Sequence, residues 1–222
     1  MKVKLISSSQ SPLEDFDYHS AMELIAYCAR VSNPENQNNK KTSAKLVKYL
    51  IKHKHWSPLE MVSACLEIET TRDIARQLLR HRSFSFQEFS QRYADPTSDL
   101  EFVTRDARLQ DPTNRQNSIP CHDQELNLNW QHYQLKVIEA AQRAYRFATA
   151  NGIAKEQARV VLPEGNTLSR LYVNGTLRSW IHYIQLRSEN GTQLEHIELA
   201  KECAKVIADI FPIDEYGNLN SK

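Results

Sequence analysis

Arg80-His81-Arg82-Ser83-Phe84-Ser85-Phe86-Gln87-Glu88-Phe89-Ser90-Gln91-Arg92-Tyr93 sets cations, hydroxyls, amides and one carboxylate among interleaved phenylalanines. Such a run suits an anion-binding wall. Each guanidinium can grip phosphate oxygens bidentately, and Ser and Gln complete the hydrogen bonds. A purely structural segment gains less, because packing the aromatics would draw the arginines out of water. Only 5 glycines occur, none in a GxGxxG or P-loop arrangement, so if a nucleotide cofactor binds, side chains must neutralise its phosphates in place of a Gly-rich backbone cradle.

Working outward, Thr70-Thr71-Arg72-Asp73 carries a hydroxyl cap and an acidic first turn, the signs of a helix start. Ile74, Ala75, Leu78 and Leu79 recur at helical spacing, which predicts a buried face and a helix ending at Arg80-His81-Arg82. Arg72, Arg76 and Arg80 lie four apart and predict a basic stripe. For any one arginine, simple compensation of the helix dipole is the plainer account. For the whole run, with Gln87, Glu88, Ser90 and Arg92 following, clustered polar groups point to a ligand.

Arg80-His81-Arg82, then seven residues, then Ser90 resembles the RHR-x7-S signature of flavin-dependent thymidylate synthases. The longer family pattern, RHRxxSxNxxSxRY, is also met at Ser85, Arg92 and Tyr93. Its usual Asn is Gln87 here, the same amide on a longer arm. The resemblance implies methylation of dUMP to dTMP. The carbon would come from 5,10-methylenetetrahydrofolate, with FAD as hydride carrier and NADPH as reductant. It further implies an α/β (α+β) fold, a central and largely antiparallel sheet with surrounding helices, non-Rossmann, in a homotetramer with shared active sites.

Composition agrees. The 222 residues, 41% hydrophobic, suffice for one catalytic domain spanning 1–222 with a sizeable core. A net charge of +1 gives no domain-wide basic field, which argues against nucleic-acid or membrane-surface binding. Cys28, Cys65, Cys121 and Cys203 form no CxxC pair, so neither a metal site nor a disulfide framework is expected. With no secretory or membrane-spanning segment, a cytoplasmic enzyme is expected.

Upstream of the signature, residues 2–6 read as a strand, 18–30 and 43–53 as amphipathic helices, and 33–41 as a polar loop. Ser57-Pro58 then stops the second helix before a strand over 62–70. His53 and His55, two apart, would point to different sides of a helix and make poor metal ligands. By resemblance, His55, Ser57 and Glu60 match a family stretch near the flavin, with Ser57 as an FAD contact. Downstream, residues 94–122 read as a long exposed connection with a short strand near 100–104, and Arg105, Arg108 and Arg115 as solvated surface. A long helix follows over 126–150, with Leu135, Ile138 and Tyr145 inward and Asn151-Gly152 as its stop. A shorter helix spans 155–162. Residues 167–173 suit a strand, Asn174-Gly175 a turn, and 176–187 and 193–211 two more helices. Leu194 and Ile197 are expected on the inner face of the last.

The resemblance also distributes roles. FAD would be held by Ser57, Arg80, His81, Arg82, Glu88, Thr176, Leu177, Arg178 and His182. The nucleotide would be held by Gln77, Leu78, Leu79, Arg80, Glu88, Phe89, Ser90, Gln91, Arg92, Arg159 and Arg187. Arg187 is the expected catalytic residue: always protonated, it is a poor base but stabilises charge growing on the pyrimidine. Ser90 lacks an adjacent base and reads as a binding group. On residues alone, Arg159 would be surface and His182 a structural histidine. A rival reading takes Phe84, Phe86, Phe89 and Tyr93 as a base-stacking platform for single-stranded RNA. A non-catalytic helical scaffold would leave the signature without a purpose.

Overall fold

In the computed structural model, residues 1–11 and 20–219 are described. The chain runs β1 (Lys2–Ser8), α1 (Ala21–Ala29), α2 (Ser43–Lys52), β2 (Ser63–Thr71), α3 (Arg72–Leu78) and β3 (Ser85–Glu88). It continues with α4 (Pro96–Asp99), β4 (Arg108–Gln110), β5 (Ser118–Pro120), α5 (Gln124–Ala150) and α6 (Lys155–Ala158). β6 (Leu168–Thr176), α7 (Leu177–Arg187) and α8 (Leu194–Ala208) close the fold. The beginning of the first expected helix, at 18–19, lies outside the described residues.

β1, β2, β6 and β3 form one sheet in that order, every neighbour antiparallel. The fold is therefore the expected mixed α+β one around an antiparallel sheet. Alternation gives each strand one inward face. Ala64, Leu66 and Ile68 of β2 stand opposite Gly175, Val173 and Leu171 of β6, all buried. The opposite face carries charge, with Arg170 bonded to Glu69 at 3.1 Å across the same pair. α7 and α8 cover the inward face through Trp180, Ile181, Ile184, Leu199 and Ile207. Trp180 Nε1 donates to the Ala64 carbonyl at 3.0 Å, so the largest buried ring leaves no polar atom unmet. α5 starts at an Asp123 cap accepting from Leu126 N at 3.0 Å and ends with Gly152 at φ +77°. Tyr145, Ala148, Ala158 and Leu162 form a second small core under it.

Several expectations are corrected. Asn174-Gly175 is no turn: β6 runs through both, paired to Cys65 and Ala64. A Cβ on Gly175 would stand 2.2 Å from Phe84 Cδ1, so glycine is there to admit the ring. β3 lies inside the signature, where no strand was expected, because Ser85-Phe86-Gln87-Glu88 completes the sheet edge beside β6. α3 ends at Leu78, so Arg80, His81 and Arg82 stand in the turn after it. Leu135 faces outward. In α8, His196, Leu199, Ala200 and Cys203 face inward while Leu194 is exposed.

Candidate active site

The turn after α3 and the end of α7 meet at His81 and Arg187. Arg187 Nε–H donates to His81 Nε2 at 2.9 Å. An imidazole that accepts from a guanidinium must be neutral. Burial, then the charges of Arg187 and Arg80, push its pKa down to about 4. Nε is thereby committed inside the protein, and the two terminal nitrogens of Arg187 remain for a ligand. Tyr183 packs edge-on against His81 at 5.0 Å between centroids, stiffening the pair. Arg80 and Arg82 are exposed and pair with no carboxylate among the described residues.

The anticipated basic stripe does not form. Arg72 turns inward to Glu88 at 3.2 Å, and Ser169 Oγ donates to the same Glu88 oxygen at 2.7 Å. Arg76 pairs with Glu164 on the surface. Glu88 is thus the hub that holds β3 to α3 and β6. Ser90 Oγ accepts from Arg92 N at 3.3 Å, bending the chain. Arg92 reaches Glu156 at 3.2 Å, and Lys155 Nζ donates to the Tyr93 carbonyl. Arg159 follows three residues beyond Glu156, in a 3₁₀ turn over Arg159–Val161 after α6. The Gln91 side chain is buried, its Nε2 without a partner.

A second group sits where the turn 57–61 meets α7. Arg178 pairs with Glu60, and Trp56 packs edge-on against His182 at 4.5 Å. Thr176 caps α7, its Oγ accepting from Ser179 N at 3.3 Å, so the hydroxyl is engaged within the fold. Leu78 and Leu177 are fully buried; anything either offers a ligand comes from its backbone. At the start of α7, Leu177 N donates to the Val62 carbonyl at 2.8 Å and Ser179 N to the Thr176 cap, which leaves the Arg178 N–H to face an anion.

The stacking platform of the RNA reading is not formed. Phe84 is buried against Trp180 at 4.5 Å, leaving only Tyr93 of that set well exposed. Arg105 and Arg108 are neither solvated nor free. Arg105 donates to both Asp73 oxygens at 2.9 and 2.8 Å and to Thr71 Oγ1 at 2.7 Å, and Arg108 clamps Glu195 at 2.7 and 2.9 Å. Cavities of about 640 and 590 Å³ open beside these two arginines. Their walls include no residue of 77–93, and their cations are already paired. Sequence reasoning missed Tyr183 and His196 beside His81, and Gln193 and Glu195, which connect to His196 through Gln77. The inward-facing spacing of His196 with Leu199, Ala200 and Cys203 was the available signal.

Two arginines without a described carboxylate partner in the turn after α3, a neutral histidine anchoring a third at the end of α7, and an antiparallel sheet without a Gly-rich cradle define an α+β protein outside the Rossmann class with a site suited to anions. The family described as thymidylate synthase complementing protein (Thy1) matches residues 16–213. A "Probable flavin-dependent thymidylate synthase" of Paramecium bursaria Chlorella virus 1 is 49% identical over 213 residues, 96% of each chain. A flavin-dependent thymidylate synthase of Synechocystis is 46% identical over the same length and coverage. A UMP/dUMP methylase, PolB of Streptomyces cacaoi, solved with 5-Br dUMP, superposes with TM-score 0.80 at 26% identity, covering 97% of this chain and 93% of its own. The chain belongs to the flavin-dependent thymidylate synthase family.

Proposed function

We propose that the chain methylates dUMP to dTMP, with 5,10-methylenetetrahydrofolate as carbon donor, FAD as cofactor and NADPH as reductant. The observation that carries this reading is the Arg187–His81 pair flanked by two guanidiniums, Arg80 and Arg82, that no described carboxylate neutralises. The donor set fits a flavin dinucleotide, whose phosphates need cations that are not already paired. Arg80, Arg82 and the start of α7 at Thr176, Leu177 and Arg178 would hold FAD, with Ser57, His81, Glu88 and His182 completing its surroundings. Bound there, it supplies the two-electron chemistry that no side chain provides.

The protein's own part is binding, orientation and charge. Arg80 and Arg159 would grip the nucleotide phosphate, joined by Arg92 on exchanging Glu156 for it. Gln77 and Ser90 would fix its position, together with Leu78, Leu79, Glu88, Phe89 and Gln91, in part through their backbones. Arg187, its Nε anchored on His81, turns its two terminal nitrogens to the pyrimidine and stabilises negative charge developing on the ring. Burial raises the pKa of the Cys28, Cys65 and Cys203 thiols, so none of the three is a ready nucleophile.

One catalytic unit over 1–222 would work as a cytoplasmic homotetramer with shared sites. Trp130, Tyr133, Val137 and Phe147 lie exposed along α5, apolar surface of the kind another subunit covers. Among the described residues no helix is long and apolar enough to cross a membrane. The test is dTMP formation from dUMP with FAD, methylene-folate and NADPH supplied and each omitted in turn, beside a parallel run on UMP. Turnover with FAD left out of flavin-free protein, or none with everything present, overturns the proposal.

A further inference from the structure

Glu195, Gln193, Gln77 and His196 form a hydrogen-bonded chain whose direction is set at one end. Burial works against the Glu195 carboxylate. The hydrogen bonds from Arg108, its own backbone N–H and Gln193, with the charge of Arg105, outweigh that and hold its pKa below the ordinary range. At neutral pH it can therefore only accept. Gln193 Nε2 donates to Glu195 Oε2 at 2.9 Å, which leaves Gln193 Oε1 as an acceptor. Gln77 Nε2 donates to that oxygen at 2.8 Å. Gln77 Oε1 then faces His196 Nδ1 at 3.1 Å, so the imidazole carries its proton on Nδ1. Each link is a donor meeting an acceptor only because the first member cannot donate.

The far end lies against the candidate active site. His196 is fully buried, and its ring centroid is 6.4 Å from that of His81, which accepts from Arg187. The Nε2 of His196 is left bare and without a partner. A protonated His196 would add a second cation beside Arg187, and the other tautomer would leave Nδ1 and Gln77 Oε1 as two facing acceptors. Gln193 caps α8 and Gln77 lies in the last turn of α3, so the same bonds pin these two helix ends together.

We infer that Glu195 is a positioning residue for the nucleotide site: it fixes the polarity of the Gln193–Gln77–His196 chain and so holds the Gln77 amide in one orientation beside His81 and Arg187. The inference rests on the proposed placement of Gln77 against dUMP. Replacing the carboxylate with an amide keeps its size but lets the first member donate, so the chain loses its direction.

The test is the dissociation constant of dUMP on the FAD-loaded protein, with thermal unfolding measured alongside. Glu195→Gln and Gln77→Ala should each weaken dUMP by about tenfold, and the double variant should be no weaker than Gln77→Ala alone. Should Glu195→Gln fail to fold, Gln193→Met cuts the chain without touching the Arg108–Glu195 pair and carries the same expectation. Multiplied effects in the double variant, or unchanged dUMP binding in Glu195→Gln beside a weakened Gln77→Ala, overturn the inference and leave the proposed function standing. Unchanged binding in Gln77→Ala removes Gln77 from the nucleotide site, and the inference falls with that placement.

Discussion

Arg187 and His81 share one hydrogen bond, Nε–H to Nε2 at 2.9 Å, although 106 residues separate them. The bond keeps His81 neutral and turns Arg187 into a fixed fork. It also joins the turn after α3 to the last turn of α7, so the arginine expected to act on the pyrimidine is aimed before any ligand arrives.

The two inward histidines predict an acid-sensitive stability. Unfolded, each titrates near 6.5; folded, burial and neighbouring charge push His81 to about 4 and His196 to about 3. Between those values the unfolded chain binds more protons, so their contribution is intact above about pH 6.5 and drains as pH falls toward 4. The midpoint of thermal unfolding should stay level from about pH 8 to 7 and drop between about 6 and 5, less steeply in His196→Gln. A level midpoint down to about pH 5 would contradict the neutral, buried state of the pair.

Arg187→Ala should lower kcat/KM for dUMP by about 10²–10³-fold, the range typical for removing a group that meets developing charge. Ser90→Ala should retain measurable turnover, because Ser90 Oγ accepts from Arg92 N and has no base beside it. Steady-state kinetics of the two variants settle the ranking, and the reverse order would exchange their roles.

Gly175→Ala should destabilise the protein by about 1–3 kcal/mol or more, since the new methyl meets the Phe84 ring at 2.2 Å. Phe84→Leu in the same chain should recover part of that loss. Urea unfolding of the single and double variants measures the coupling; purely additive losses would mean the ring is not what excludes a side chain.

Arg105→Ala should cost about 2–3 kcal/mol, because it strands the half-buried Asp73 that accepts from it. Arg76→Ala, from a pair with Glu164 that is about half exposed on both sides, should cost about 0–1 kcal/mol. Equal losses in chemical denaturation would show that burial is not what separates the two pairs.

Much of the fold was legible because an element's own residues announce which face it buries. Leu177, Trp180, Ile181 and Ile184 repeat at helical spacing and do line the inner face of α7. The alternation of Ala64, Leu66 and Ile68 likewise marks β2. The reading failed at Asn174-Gly175, where a dipeptide common in turns runs on as strand. Local preference there yields to pairing with β2 and to the space Phe84 needs. It failed again at Arg105 and Arg108, whose carboxylates lie 32 and 87 residues away along the chain.

By itself, the sequence determined the chemistry on offer: an arginine-rich signature, no glycine cradle, and enough periodic apolar residues for helices around a sheet. Those are properties of residue type and spacing, and they survive any rearrangement of the elements. Tertiary structure alone decided which charges are spent. Arg72 went to Glu88, Arg105 to Asp73 and Arg108 to Glu195, while Arg80 and Arg82 were left without a described carboxylate. A charge is neutralised by whatever the fold brings within a few ångströms, and that distance is not written in the order of the residues.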